Sequence, residues 1–276
     1  MDITLAHSPD ADDAFMFYAL AAGRVDTGPF RIRHVLGDIQ SLNEAAREGC
    51  HEVTAVSFHA YADARVRERY ALLSVGASVG DGYGPIVVSR RPLPPEGLAG
   101  ATVLVPGTLT TAYLALRLFR RDVTTRTVPF DRIPEAVAAG AAEAGLLIHE
   151  GQLTYGDLRL HPVVDLGAWW RDRTGGPLPL GGNAVRRDLG RERAARIAAA
   201  LGASVRYALA HRDEALDHAL RHGRGLDRAR GDRFVGMYVN DWTLDLGDRG
   251  RSAVQRLFDE GSDAGLLADR VTAEFW

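Results

Sequence analysis

Residues 3–20 read ITLAHSPDADDAFMFYAL, a short apolar run that passes through a polar turn into a longer apolar segment. Residues 102–116 follow the same order and read TVLVPGTLTTAYLAL. Short apolar runs rich in β-branched residues predict strands, and the longer segments after them predict helices. Because such βα units build largely parallel sheets, the sequence predicts an α/β fold with two blocks of this kind.

The predicted elements alternate along most of the chain. Strands are expected at residues 3–6, 30–36, 53–56, 70–75, 86–89, 102–105, 125–128 and 144–148. Helices are expected at residues 13–22, 41–48, 58–69, 109–120 and 133–139. From residue 191 onward the pattern is helical, with breaks at residues 223–225 and 240–247, and the glycine-rich residues 80–84 are expected to form a flexible turn.

Two segments rich in proline and glycine predict connections between lobes. They are residues 90–100 and residues 174–182. We therefore expect residues 1–90 and 184–276 to form one α/β lobe with a helical C-terminal tail, and residues 91–183 to form an inserted second lobe. Ligands of open α/β sheets bind beyond the carboxyl ends of the strands, so the predicted site is the cleft between the lobes.

Composition excludes several classes of function. The 276 residues include 33 basic and 36 acidic ones, so no overall positive charge favours nucleic acid or an anionic membrane surface. Every basic residue is arginine, which excludes a lysine Schiff base and a phosphate-loop lysine. Cys50 is the single cysteine, so an intramolecular disulfide is impossible. The chain shows neither a secretory signal nor an apolar stretch of about 18 residues, so we expect a cytoplasmic protein outside the membrane.

Two loops after predicted strands differ in charge. The first carries Ser8, Asp10, Asp12 and Asp13, and its carboxylates are expected to cap the following helix and to contact ligand hydroxyls. Capping alone is the main alternative, and a bound metal ion is a weaker one. Residues 106–112 open a helix with hydroxyl groups and no acid, which suits a ligand carboxylate, although simple helix capping explains the same threonines.

Histidines supply the remaining candidates. His149 ends an apolar strand, and an imidazole there is either a general base or a structural residue. His218 and His222 lie four residues apart, so they form either a metal pair or part of a solvated helix face. Ser57 follows a strand and is a weaker candidate for a polar group in the cleft.

Several motifs in one order resemble those of a known family. They are SPDADDAFMFYAL (8–20), GTLTTAY (107–113), AGLLIHE (144–150), VDLGAWW (164–170), LPLG (178–181) and RRDLG (186–190). Together they resemble the 1,4-dihydroxy-6-naphthoate synthases of menaquinone biosynthesis, the MqnD family, over nearly the whole chain.

The resemblance implies a fold similar to the type 2 periplasmic binding proteins and conversion of cyclic dehypoxanthinyl futalosine to 1,4-dihydroxy-6-naphthoate. It implies His149 as the catalytic proton acceptor, neither cofactor nor metal, and a substrate that carries a carboxylate. The substrate-binding residues expected from the resemblance and from the loops are Ser8, Asp13, Ala55, Val56, Ser57, Thr110 and Thr111. Tyr155 and Trp169 are expected to stack on the planar ring of the substrate.

The chain departs from the usual family pattern at Asp10, Ala11, Asp12, Ala55 and Leu109. Two alternatives therefore stay open, a sister enzyme similar to chorismate dehydratase and a non-catalytic solute-binding protein for a small carboxylate. A homodimer through the C-terminal helices is also possible.

Overall fold

Two mixed β-sheets organise the part of the chain that the structure describes, residues 1–221 and 226–276. In this computed structural model the strands are β1 (Asp2–His7), β2 (Arg31–Leu36), β3 (Val53–Ser57), β4 (Tyr70–Leu72), β5 (Ser78–Gly80), β6 (Ile86–Ser89), β7 (Thr102–Val105), β8 (Thr124–Thr127), β9 (Ala144–Leu147), β10 (His161–Asp165) and β11 (Leu178–Arg186). The first sheet has the order β2-β1-β3-β11-β4, with β5 also paired to β11, and the second has the order β10-β6-β9-β7-β8.

Parallel and antiparallel pairs divide each sheet. Strand β1 is parallel to β2 and β3, whereas β11 is antiparallel to β3, β4 and β5. Strand β7 is parallel to β8 and β9, whereas β6 is antiparallel to β9 and β10. The parallel pairs are the ones that the βα pattern of the sequence predicts.

Helices cover both sheets. They are α1 (Ala11–Met16), α2 (Tyr18–Ala21), α3 (Ile39–Glu48), α4 (Phe58–Tyr61), α5 (Ala64–Arg69), α6 (Thr111–Phe119), α7 (Ile133–Ala138), α8 (Gly151–Thr154), α9 (Leu166–Thr174), α10 (Gly190–Ala210), α11 (Arg212–Leu220), α12 (Arg228–Tyr238), α13 (Asp241–Leu244) and α14 (Gly247–Asp263). In the described residues, no helix combines the length and the apolar character that a membrane crossing requires.

The apolar core is continuous from one sheet to the other. One cluster of buried side chains includes Val56 of β3, Val103 of β7 and Leu257 of α14. A second cluster joins Leu5 of β1 to the helices α1, α10, α11 and α12. Helix α14 therefore packs against both halves of the molecule, and burial of its apolar face holds them together.

The sheet memberships differ from the predicted lobe boundaries by several residues. Strand β6 falls within predicted residues 1–90 but pairs in the second sheet, and most of β11 falls within predicted residues 91–183 but pairs in the first. The chain thus leaves the first sheet between β5 and β6 and returns between β10 and β11. Proline and glycine mark bends of any kind, so their clusters do not distinguish a crossing from a turn within one sheet.

Other differences concern short elements. Strands β5 and β10 have no counterpart in the predicted set, and residues 174–182 lie largely in β11. The helix predicted at residues 58–69 is divided, because the Asp63 carboxylate accepts a hydrogen bond from the Arg65 N–H and starts α5. The break predicted at residues 223–225 lies outside the described residues, as does His222 of the predicted histidine pair.

The two crossings touch through their backbones. A Cβ atom added to Gly167 would lie 1.9 Å from the Tyr83 carbonyl oxygen, and one added to Gly84 would lie 3.0 Å from the Gly167 backbone. The Leu166 N–H donates a hydrogen bond to the Pro85 carbonyl oxygen at 2.9 Å. Residues 80–84, predicted as a flexible turn, therefore include a tightly packed contact that only glycine permits.

We expect Gly167→Ala to lower the free energy of unfolding by about 3 kcal/mol or more, because a backbone atom cannot move aside as a side chain can. Urea denaturation measures this loss. Gly156→Ala is the control, because an added Cβ meets nothing within 4 Å there. Equal stability of the two variants would contradict the close approach.

Candidate active site between the two sheets

A cavity with about 740 Å³ of space, part of it open to solvent, lies between the two sheets. Its walls come from the loops after β1 and β9, the end of β3, the start of α6, and parts of β11 and α12. The predicted residues that line it are Ser8, Asp13, Ala55, Val56, Ser57, Thr110, Thr111 and His149. These side chains come from distant parts of the chain, and the fold brings them to one cleft.

His149 follows β9 and faces the acidic loop of the first sheet. Its backbone φ is 54°, a left-handed conformation that costs about 1 kcal/mol for a residue other than glycine. Its Nδ1 lies 3.0 Å from Oδ2 of Asp10, and the ring of Phe130 packs edge-on with centroids 4.8 Å apart. Its Nε2 is buried and has no hydrogen-bond partner among the described residues. Asp10 therefore contacts one ring nitrogen, while the other has no hydrogen-bond partner in the described part of the chain.

The acidic loop is organised differently from the predicted helix cap. Asp10 occupies the N-cap position of α1, yet its side chain accepts no capping hydrogen bond. Its Oδ2 instead accepts from the Ser8 hydroxyl, and the Asp10 N–H donates back to Ser8 Oγ at 3.1 Å. Asp13 Oδ2 accepts from the Ser8 N–H at 2.8 Å. The prediction that Asp10 caps α1 is therefore wrong, because its carboxylate contacts Ser8 and His149 instead.

Desolvation changes the protonation of this loop. It raises the pKa of Asp13 to about 7, against the hydrogen bond from the Ser8 N–H that lowers it. It raises the pKa of Asp12 well above the usual value, and repulsion by Asp13 and Asp10 adds to the effect. Burial likewise raises the pKa of Glu150. Protonated carboxyl groups are favoured at this end, and a protonated carboxyl donates a hydrogen bond where a carboxylate only accepts.

Another part of the cavity wall presents hydroxyl groups. Ser57 ends β3, and its Oγ accepts a hydrogen bond from Asn43 Nδ2 at 3.0 Å. The Asn43 Oδ1 in turn accepts from the Ser57 N–H at 2.8 Å. Because the Ser57 oxygen is already an acceptor, its hydroxyl hydrogen is left to donate. Buried Asn43 was missed from the sequence, since a lone asparagine in a helix carries no motif.

Thr110 and Thr111 have different roles at the start of α6. Thr110 Oγ1 accepts from the Tyr113 N–H at 3.2 Å and donates to the Gly107 carbonyl oxygen, so this side chain caps the helix. Thr111 Oγ1 accepts from the His59 N–H at 3.1 Å, which leaves its hydrogen to donate. Helix capping therefore accounts for Thr110, and carboxylate binding stays a prediction for Thr111.

Helices α8 and α12 supply cavity residues that the sequence did not predict. Tyr238 and Phe234 of α12 line the cavity together with Gln152 of α8. The Tyr238 hydroxyl and the Gln152 side-chain amide lie 2.7 Å apart, and burial raises the pKa of Tyr238 well above its usual value. These residues lie far apart in sequence, so only the packing of α12 onto the cleft reveals them.

Tyr155 and Trp169 do not line the cavity, which corrects the prediction that they stack on a bound ring. Tyr155 packs against the apolar cluster of the second sheet. Trp169 contacts Phe119 edge-on with centroids 5.3 Å apart, and the Arg173 guanidinium lies over its ring. The next residue of α9, Trp170, is fully buried and donates a hydrogen bond to the Pro177 carbonyl oxygen, which holds the helix in place.

The cluster of acidic side chains is not arranged as a metal cage. Across residues 1–221 and 226–276, no group of three or more His, Cys, Asp or Glu side chains has the geometry to hold a metal ion.

Known structures share this architecture. A crystal structure of an Archaeoglobus fulgidus protein has a TM-score of 0.91 at 47% identity, covering 96% of this chain and 98% of that one. The alkanesulfonate-binding protein SsuA from Xanthomonas axonopodis pv. citri, bound to MOPS, has a TM-score of 0.76 at 15% identity, covering 100% and 98%. The predicted two-lobed fold of the periplasmic binding proteins is therefore confirmed.

Sequence comparison identifies the family. A family model described as "Menaquinone biosynthesis" matches residues 3–263. A relative from Thermus thermophilus named 1,4-dihydroxy-6-naphtoate synthase is 46% identical over 266 residues, 96% of each chain. One of the same name from Streptomyces coelicolor is 37% identical over 271 residues, 96% of this chain and 94% of that one. The chain therefore belongs to the menaquinone biosynthesis family, as the resemblance of its motifs to the naphthoate synthases predicted.

Proposed function

We propose that this protein is a carbon–carbon lyase that converts cyclic dehypoxanthinyl futalosine to 1,4-dihydroxy-6-naphthoate, with His149 as the general base. The observation that carries this proposal is the state of the imidazole at the cavity wall. Its Nδ1 is held by a buried carboxylate, while its Nε2 has no partner among the described residues. A general base needs such an unoccupied nitrogen within reach of the substrate.

The polarity of the cavity matches the two ends of this substrate. The ring carboxylate fits the hydroxyl donors of Ser57 and Thr111, which line the cavity and carry no negative charge. The hydroxylated sugar-derived portion fits Asp12 and Asp13, which offer donors and acceptors. In this pose the planar ring lies between the two sheets.

The reaction then needs proton transfer and one bond cleavage. His149 removes a proton that the carbonyl system of the substrate acidifies, the carbon–carbon bond to the sugar-derived portion breaks, and the imidazolium returns the proton to the products, so that no further reactant is needed. The fragment departs and the remaining ring system becomes aromatic, which drives the reaction toward naphthoate.

Incubation with two substrates tests the proposal against its alternatives. The purified protein is given cyclic dehypoxanthinyl futalosine or chorismate, and products are identified by mass. Formation of 1,4-dihydroxy-6-naphthoate from the first supports the proposal. Dehydration of chorismate would instead support a chorismate dehydratase, and tight binding of either without turnover would support a solute-binding protein.

Removal of the imidazole should depress turnover. We expect His149→Ala to lower kcat by about a hundredfold to ten-thousandfold with little change in KM, because a positioned base acts in the transition state. His161→Ala is the control, since His161 is exposed at the start of β10. Near-normal turnover in His149→Ala would refute the role of this residue.

Loss of the Thr111 hydroxyl should instead weaken substrate binding. We expect Thr111→Val to raise KM about tenfold with kcat nearly unchanged, because one hydrogen bond to a carboxylate is lost in ground state and transition state alike. Steady-state kinetics measure both constants, with the exposed Thr124→Val as control. A fall in kcat at constant KM would place the carboxylate elsewhere.

The raised pKa of Asp13 predicts a pH dependence of stability. Between about pH 4 and pH 7 the folded protein retains a proton that the unfolded chain releases, so the free energy of unfolding falls as pH rises. Asp13→Asn removes this penalty, and its stability relative to the wild type should be greater at pH 8 than at pH 5 by about 2–3 kcal/mol. Urea denaturation at both values measures the difference.

Asp2→Asn serves as the comparison for this pH test, because Arg31 lowers the pKa of the exposed Asp2. The stability of Asp2→Asn relative to the wild type should be no greater at pH 8 than at pH 5. A gain equal to that of Asp13→Asn would mean that desolvation in the cavity is not the cause.

A further inference from the structure

We propose that Asp10 is the positioning residue of the catalytic base, which it holds from the opposite sheet in the tautomer with the proton on Nδ1. The catalytic consequence rests on the proposed function of His149. The tautomer itself is a property of the protein without substrate, so it is tested separately.

Contacts with Ser8 hold the Asp10 side chain in place independently of the imidazole. Its side chain is buried, at 1% exposure. The Ser8 hydroxyl donates to Oδ2, and the Asp10 N–H donates to Ser8 Oγ at 3.1 Å, so the loop closes on itself around the carboxylate. The same Oδ2 lies 3.0 Å from His149 Nδ1. A carboxylate with its rotamer fixed in this way also fixes the direction of the ring that it contacts.

The neighbouring carboxylates are engaged elsewhere. Glu150 follows the histidine in the chain, but its Oε1 accepts from the Ala11 N–H at 3.3 Å. Asp13 Oδ2 accepts from the Ser8 N–H. In the described part of the chain, Asp10 is the acidic residue whose ion-pair distance to the His149 ring is within 4 Å. The positioning role therefore falls on Asp10.

This contact decides which nitrogen can act as the base. A neutral imidazole has one N–H, and an ionised carboxylate only accepts hydrogen bonds, so the proton is held on Nδ1. The lone pair is then on Nε2, the nitrogen without a protein partner. An unrestrained histidine favours the other tautomer, in which Nε2 carries the proton and cannot accept one.

The base is also assembled from both halves of the molecule. Asp10 lies in the loop after β1 of the first sheet, whereas His149 lies in the loop after β9 of the second. The contact between these two loops therefore sets the tautomer in which Nδ1 carries the proton and Nε2 can accept one. The left-handed backbone of His149, with a φ of 54°, brings the ring to this contact.

Nitrogen-15 NMR of the histidine side chains in the full-length protein tests the proposal. The His149 signals are assigned by their loss in His149→Gln and recorded at a pH above the titration of imidazole. In the wild type we expect a protonated Nδ1 and an unprotonated Nε2. In Asp10→Ala we expect the proton to move to Nε2, with kcat reduced on the order of a hundredfold and KM within about threefold.

Glu150→Gln is the matched control, because its amide oxygen can still accept from the Ala11 N–H while a neighbouring acidic group is removed. It should retain the wild-type tautomer. A wild-type protein with the proton on Nε2 overturns the proposal, and this result does not depend on whether Asp10→Ala folds. An unchanged tautomer or unchanged kcat in Asp10→Ala also overturns it. Absence of naphthoate formation in a wild type with the expected tautomer contradicts the proposed function alone.

Discussion

The close backbone contact between Gly84 and Gly167 is the constraint on which the site depends. Both crossings between the sheets pass through this point, and no side chain separates them. The crossings join the two sheets whose loops after β1 and β9 line one cavity, and the apolar face of α14 packs against both halves. Residues more than a hundred positions apart therefore meet at hydrogen-bond distance.

Burial of several acids that follow β1 and β9 affects the charge of the cleft. Desolvation raises the pKa values of Asp12, Asp13 and Glu150, which favours protonated carboxyl groups. Another part of the wall presents hydroxyl donors that contact Asn43 and the His59 N–H. The wall thus offers two kinds of hydrogen-bonding group, and it contains neither an arginine nor a metal site among the described residues.

The scaffold itself does not distinguish an enzyme from a binding protein. The alkanesulfonate-binding protein shares the fold at 15% identity, which is evidence for the architecture alone. The features that support catalysis in this chain are local. They are the left-handed His149 at a strand end, its contact with a buried carboxylate, and a ring nitrogen without a partner in the described protein.

The sequence alone determined the α/β class, the parallel strands and the motif that marks His149, because hydrophobic period and local turns are encoded within short segments. It also indicated part of the cavity lining, since ligands of such sheets bind at strand ends. Tertiary structure decided that Trp169 packs against Phe119, that Asp10 turns from the helix cap to the imidazole, and that α12 contributes Tyr238. These outcomes depend on contacts between distant segments, whose direction and desolvation no local pattern specifies.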